Sequence, residues 1–254
     1  MMELPILSII IVSYNDLDRL KVTLRSLSGL QDNLEIVTVS PSADFDTRDF
    51  CHEFSLLSSS RVSLVQDDGL GIYEAMNDGI AAAQGRYVCF WNSGDFLYSR
   101  SNLEKLCGQL QSRRCDYLVA QGVFSWGLPQ LLTKVNLENF ICHLPNSFLS
   151  HQTVFFRKEL VEDLNGYDTR FRVAADTKLI TQFALKFQGE FFEPPVVNVE
   201  KPNFASLNNK RGRMETLYIA LTILPLRLKF RSLHSIFLRE ITSLIARWRV
   251  GRQS

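Results

Sequence analysis

No stretch of these 254 residues approaches the roughly 18 consecutive apolar positions that a membrane-spanning helix needs. Cysteine is scarce. There are five, Cys51, Cys89, Cys107, Cys115 and Cys142, an odd number with no C-x-x-C pair. That pattern argues against a disulfide framework and against a zinc cluster, and for reduced, mostly buried thiols. His143 beside Cys142 makes no metal pair, because adjacent residues do not present a shared ligand geometry. The apolar stretch at residues 4–12 follows Glu3 and lacks a basic leader and a cleavage signature, so it reads as a strand and not a signal peptide. The expected location is therefore the cytoplasm. Internal repeats and low-complexity linkers are missing too, which leaves one main domain.

What is present begins with charge. The net value is +1, yet from Arg211 onward nine Arg or Lys face two Glu, a balance of +7 that leaves −6 for the preceding 210 residues. The same tail carries Leu217, Leu221, Phe230, Phe237 and Trp248, and Pro225 divides it into two helices. Basic charge beside apolar and aromatic residues suits attachment to an anionic membrane face, which gains from burial and from charge. Two other readings stay open: packing on the rest of the chain, or self-association into a homo-oligomer. No nucleic acid partner is expected.

Periodicity orders the rest. Leu7 to Ser13 reads as a buried strand, and a helix with Leu17, Leu20, Leu24 and Leu27 on one face follows. Leu34 to Ser40 reads as a second strand and Arg61 to Gln66 as a third, with a short helix ending near Leu57 between them. A helix near Asn102 to Gln111 and a strand near Asp116 to Gln121 come later. Beyond them, short strands near Thr153 to Arg157 and Phe191 to Val199 flank a helix from about Ala175 to Phe187. Such alternation predicts an α/β fold with a doubly wound, mainly parallel central sheet flanked by helices, plus a helical basic appendage.

The densest signal lies between Asp67 and Asp95. Gly69 and Gly71 allow a tight turn, and Ala75, Met76, Gly79, Ile80 and Ala83 form the apolar face of a helix that Gly85 ends. Arg86 to Trp91 is a covered strand that stops in Asn92-Ser93-Gly94-Asp95. Small residues and a lone acid thus sit at a strand's carboxyl end, where open α/β sheets bind ligands.

The run G-I-Y-E-A-M-N-D-G-I, a strand and then N-S-G-D resembles family 2 glycosyltransferases, the nucleotide-sugar enzymes of GT-A fold, and most of all their bacterial capsule, exopolysaccharide and lipopolysaccharide branch. Ser8 to Asn15, His151 to Lys158 and Gly166 to Asp176 resemble further family segments in the same order, so the likeness spans roughly residues 7 to 185. It implies a GT-A domain over 1–205, with a donor half to about 121 and an acceptor half after it, and a tail over 206–254.

The resemblance also implies roles. Donor contacts fall on Ser13, Tyr14, Asn15, Ser40, Asp68, Gly71, Tyr73, Asn77, Asn92, Ser93 and Gly94. The family's acidic D-x-D motif keeps its charge here only at Asp95, the expected ligand of a divalent Mn²⁺ or Mg²⁺. The acid that usually reads the base is replaced by Ser40, with Asp44 and Asp46 further along and Asp67 and Asp68 near the turn. A UDP-sugar is favoured, with the base left open. Asp176 is the expected catalytic base, its usual E-D pair being Ala175-Asp176, and His151 and Gln152 are expected on the acceptor side.

The implied activity is inverting transfer of a single sugar to a glycan or polyprenyl-diphosphate-linked acceptor, on the inner face of the cell membrane if the tail attaches there. Processive synthases carry Q-x-x-R-W and membrane spans, and this chain has neither. The alternative is a catalytically weakened nucleotide- or glycan-binding protein on the same fold, for which Ser40 and the reduced acid motif speak. A sugar nucleotidyltransferase would need a Gly-rich, basic phosphate loop after the first strand, where S-Y-N-D-L-D stands instead.

Overall fold

The computed structural model describes residues 4–30, 33–58, 60–124, 149–200 and 210–229. Its centre is β1 (Leu7–Val12), with β2 (Leu34–Pro41) on one side and β4 (Tyr87–Asn92) on the other, both parallel to it. β3 (Arg61–Asp67) extends the sheet beyond β2, again in parallel. β1 and β4 read as near-continuous apolar runs because both faces are covered, and alternate residues supply two separate cores. Ile10, Val37, Val39, Val88 and Phe90 pack into one. Ile9, Ile11, Ile36, Cys89 and Trp91 pack into the other, against Leu20 and Leu24 of α1 (Leu17–Ser26) and Leu103 and Leu106 of α4 (Arg100–Ser112).

Helix α2 (Phe45–Leu57) joins β2 to β3, and α3 (Ile72–Ala82) joins β3 to β4. Asp44 caps α2 through the Thr47 amide at 3.1 Å, so that acid has a local role. Just beyond α3, Gly85 runs against β1 so closely that an added Cβ would stand 2.5 Å from the Ser8 backbone nitrogen. Four cysteines, Cys51, Cys89, Cys107 and Cys115, are buried free thiols, as their spacing suggested.

Beyond β4 the expectation of a mainly parallel sheet needs correction. The sheet runs β3-β2-β1-β4-β7-β6-β8-β5. β7 (Val154–Arg157) lies antiparallel to β4 and to β6 (Tyr117–Phe124), and β8 (Gly189–Val199) is parallel to β6 but antiparallel to the short β5 (Phe96–Leu97). Among the described residues, four strand pairings are parallel and three antiparallel. Register slips where Gln121 faces Pro195, because the Pro194-Pro195 pair lacks amide donors and forces a bulge. The element order otherwise follows the periodicity closely, and helices α5 (Lys158–Asp163) and α6 (Ala175–Lys186) complete the acceptor half.

The start of the tail is helix α7 (Lys210–Ile223). Ile219, Ala220 and Leu224 are buried in the same core as Leu179 and Phe183 of α6, whereas Met214, Tyr218 and Leu221 are exposed. The helix stops before Pro225 and a helical turn resumes at Leu226, as the proline predicts. No helix among the described residues is long and apolar enough to cross a membrane. The tail beyond residue 229 and Cys142 lie outside the described residues.

Candidate functional site

The carboxyl ends of β1, β2 and β3 come side by side. The Ser13 amide donates to Val39 of β2 at 2.9 Å, and Pro41 at the end of β2 pairs with Asp67 at the end of β3. Ser13 and Ser40 are both buried, and among the described residues the Ser13 hydroxyl has no hydrogen-bond partner. Tyr14 is 69% exposed just past β1, so its ring is free to offer a flat face. Asn15 follows with φ of 49°, a left-handed turn that Asn tolerates better than most residues.

Of the two neighbouring acids, Asp68 is exposed and Asp67 is buried at the strand end. Burial pushes the Asp67 carboxyl up, the Gly69 amide at 3.2 Å opposes that, and the charges of Asp78 and Asp68 add to it. Gly71, with φ of 154°, precedes the first turn of α3.

The Asn92-Ser93-Gly94-Asp95 loop is fastened on every side. The Gly94 amide donates to Thr23 of α1 at 2.9 Å and the Ser93 hydroxyl to the Val12 carbonyl at 3.4 Å. Gly94 holds φ of 99°, and an added Cβ would collide with Glu200 and Arg19, which pair with each other at 2.7 Å across it. Asp95 is 1% exposed. Its Oδ2 accepts the Asn92 amide at 2.8 Å, its Oδ1 accepts the Glu200 amide at 2.9 Å, and the Gln152 side chain also bonds to it. Burial pushes the carboxyl up to about 6 against these bonds and the charge of Arg19. The following helix is capped by Ser99 rather than Asp95.

Asp176 lies in the first turn of α6, half-buried, with Oδ1 accepting the Thr177 amide at 2.7 Å. Its charge acts on His151, Tyr73 and Tyr167. His151 Nδ1 lies 3.1 Å from the Tyr167 hydroxyl, and burial lowers the imidazole's pKa despite Asp176, which favours the neutral ring. Tyr73 stacks on Tyr167 with centroids 5.4 Å apart and donates to the Val173 carbonyl at 2.7 Å. Asn77 exchanges two hydrogen bonds with the Tyr167 backbone, at 2.9 and 2.8 Å. The polar groups of Tyr73 and Asn77 are thus engaged inside the protein, holding the segment that leads to Asp176. Arg170 is committed to Asp168 at 2.7 Å.

His151 and Gln152 are consecutive residues of one 3₁₀ turn (His151–Thr153). The first stands in the field of Asp176 and the second bonds to Asp95. Arg19 and Glu200, which brace the acid loop, carried no sequence signal, since they meet it only through the fold.

Among the described residues no three His, Cys, Asp or Glu side chains converge on a cation position. Asp95 alone suits a minimal site. Each oxygen keeps an acceptor direction after one amide bond, and a cation would relieve a buried carboxylate whose pKa is raised. Mg²⁺ and Mn²⁺ accept one carboxylate when phosphate oxygens and water fill the rest.

This layout, a parallel donor half with an acid loop after β4 and a mixed acceptor half, is that of a nucleotide-sugar transferase. Residues 8–164 match glycosyl transferase family 2, and the chain belongs to that family. The PGL/p-HBAD biosynthesis glycosyltransferase of Mycobacterium tuberculosis is 28% identical over 182 residues, 69% of this chain and 68% of that one. Residues 1–349 of Staphylococcus aureus TarS, solved with UDP-GlcNAc, superpose with a TM-score of 0.70 at 19% identity, over 91% of this chain and 71% of that one. The mannosyltransferase PcManGT of Pyrobaculum calidifontis, solved with GDP-Man and Mn²⁺, gives 0.64 at 18% identity, over 92% and 69%. These two structures share the fold.

Proposed function

We propose that this chain is an inverting glycosyltransferase that moves one sugar from a nucleotide-diphosphate sugar to a glycan or polyprenyl-diphosphate-linked acceptor in bacterial surface polysaccharide biosynthesis. The observation that carries the reading is the loop after β4, whose buried Asp95 is held by the Asn92 and Glu200 amides at 2.8 and 2.9 Å.

In this reading Ser13, Tyr14, Ser40 and Asp67 hold the nucleoside at the strand ends, with UDP favoured over GDP. Asn92, Ser93 and Gly94 shape the loop under the diphosphate, and Asp95 holds the cation. A divalent ion there would neutralise charge on the departing diphosphate. Asp176 takes the proton of the acceptor hydroxyl as that oxygen bonds to the anomeric carbon and the bond to the diphosphate breaks. A carboxylate serves because transfer is concerted and the group is positioned. His151, hydrogen-bonded to Tyr167 and kept from protonation by burial, would not pair with Asp176 as a cation. Residues 1–205 together with the packed helix α7 make up the transferase domain, and the basic tail beyond it brings the domain to the cytoplasmic membrane face.

A second reading, a binding protein that has lost turnover, draws on the near-complete burial of Asp95, both of whose oxygens already accept amides. The experiment that separates them is donor hydrolysis and transfer with Mn²⁺ across UDP- and GDP-sugars, in wild type and Asp176→Asn. The variant should keep donor affinity and lose about 10²–10⁴ in turnover. Unchanged turnover removes Asp176 as base, and binding without any turnover in wild type establishes the second reading.

A further inference from the structure

Glu215 belongs to the tail, yet its carboxylate is spent on the helix that carries Asp176. Oε1 accepts the Arg172 amide at 3.0 Å, and Oε2 accepts the Val173 and Ala174 amides at 2.9 and 3.0 Å. These are the last amides before α6, a helix with no side-chain cap of its own. Of the three, only the Ala174 amide, at the N-cap, is one of the donors a helix N-terminus leaves unsatisfied; the other two belong to the segment entering the helix, where a negative charge meets the helix dipole favourably. The usual cap is the residue just before the helix. Here it comes from 41 positions away.

The contact is built and not incidental. Glu215 is 13% exposed, and Arg211, one turn earlier, holds Oε1 at 3.0 Å. Gly212 lets α7 settle on Val173, since an added Cβ would stand 3.0 Å from that side chain. Phe171 and Tyr218 meet with ring centroids 6.0 Å apart. On the other side the Tyr73 hydroxyl holds the Val173 carbonyl. Residues 171–174 are therefore clamped between α3 and α7, two residues before Asp176.

We propose that Glu215 is a positioning residue for Asp176: by capping α6 from the tail it fixes the backbone that aims the base, which makes the C-terminal helix part of the catalytic apparatus. The inference rests on Asp176 acting as the base. It concerns a group that touches neither sugar nor nucleotide, so removing it should affect the chemical step and spare donor binding.

The test uses the full chain with Glu215→Ala and Glu215→Gln, which keeps the shape and one acceptor oxygen. Expected are a fall in kcat of about tenfold or more for Ala, a smaller fall for Gln, an unchanged donor KM and nucleotide affinity, and faster amide exchange over residues 172–176. Equal kcat in folded Glu215→Ala overturns the proposal, as does a parallel loss of kcat and donor affinity, which would mean general loosening. Should the Ala variant not fold, Gln decides by the same split. A wild type without turnover is a different failure: it sinks the reading of the site and takes this proposal with it.

Discussion

The backbone amide of Glu200 donates to Asp95 Oδ1 at 2.9 Å, across 105 positions of sequence. With the Asn92 amide on the other oxygen, the acid is fixed before any ligand arrives. It is also buried enough that its carboxyl is pushed up to about 6. Each of the expectations below follows from a contact of this kind.

Proton and cation should compete for Asp95. Its folded pKa lies above the ordinary 3.8, so between about pH 4 and 6 the native state binds this proton more tightly than the unfolded chain does. The group's contribution to stability therefore falls as pH rises through that window, by about 3 kcal/mol at most. A divalent ion favours the charged form and reverses the trend. The rise in melting temperature produced by Mn²⁺ with UDP should be full at pH 7.5 and shrink below about pH 6. Asp95→Asn should abolish it, and a rise that survives in that variant would show the ion bound elsewhere.

Gly85→Ala should destabilise without touching the site. The new methyl would press on the Ser8 backbone, where the Gly85 amide already donates to the Ser8 hydroxyl at 2.8 Å. Overpacking of this kind costs about 1–3 kcal/mol. The urea midpoint should drop with the slope unchanged.

Asn77→Ala distinguishes an internal role from a donor contact. Losing both bonds to the Tyr167 backbone leaves buried groups unsatisfied, at about 1–3 kcal/mol. Nucleotide-sugar affinity by calorimetry should hold. A large loss of affinity in a stably folded variant would return Asn77 to the donor.

Truncation should be sharply position-dependent. Cutting after Lys210 strips Ile219, Ala220 and Leu224 from the core, and each large apolar side chain contributes about 1.5–3 kcal/mol. That chain should melt far earlier or fail to fold. Cutting after Lys229 should keep the melting temperature and end sedimentation with anionic vesicles. Undiminished sedimentation would refute attachment through the distal tail.

The donor half was legible because its strands are covered on both faces and its helices carry clear stripes, so element type followed from period alone. The stripe containing Met76 and Ile80 also passes through Tyr73, and that spacing already hinted at an inward-facing tyrosine. Strand direction beyond β4 was not legible, since β6, β7 and β8 have the same apolar character whichever way they pair. That β3 runs on to Asp67 was not legible either, because boundaries are what local patterns fix least. Glu200 and Glu215 were invisible for another reason: the first meets Asp95 through its own amide, the second accepts amides from a distant segment, and a backbone amide has no letter in the sequence.

The turn before β7 works as a caliper. One peptide step separates His151, bonded to Tyr167, from Gln152, whose carbonyl accepts the Trp91 indole, and β7 is locked to β4 by the Tyr87↔Arg157 and Val88↔Phe156 pairs. A slip of one residue along that seam would turn both side chains to the opposite face. Loops on either side of this seam can therefore change while the step from His151 to Gln152 stays where the sheet sets it.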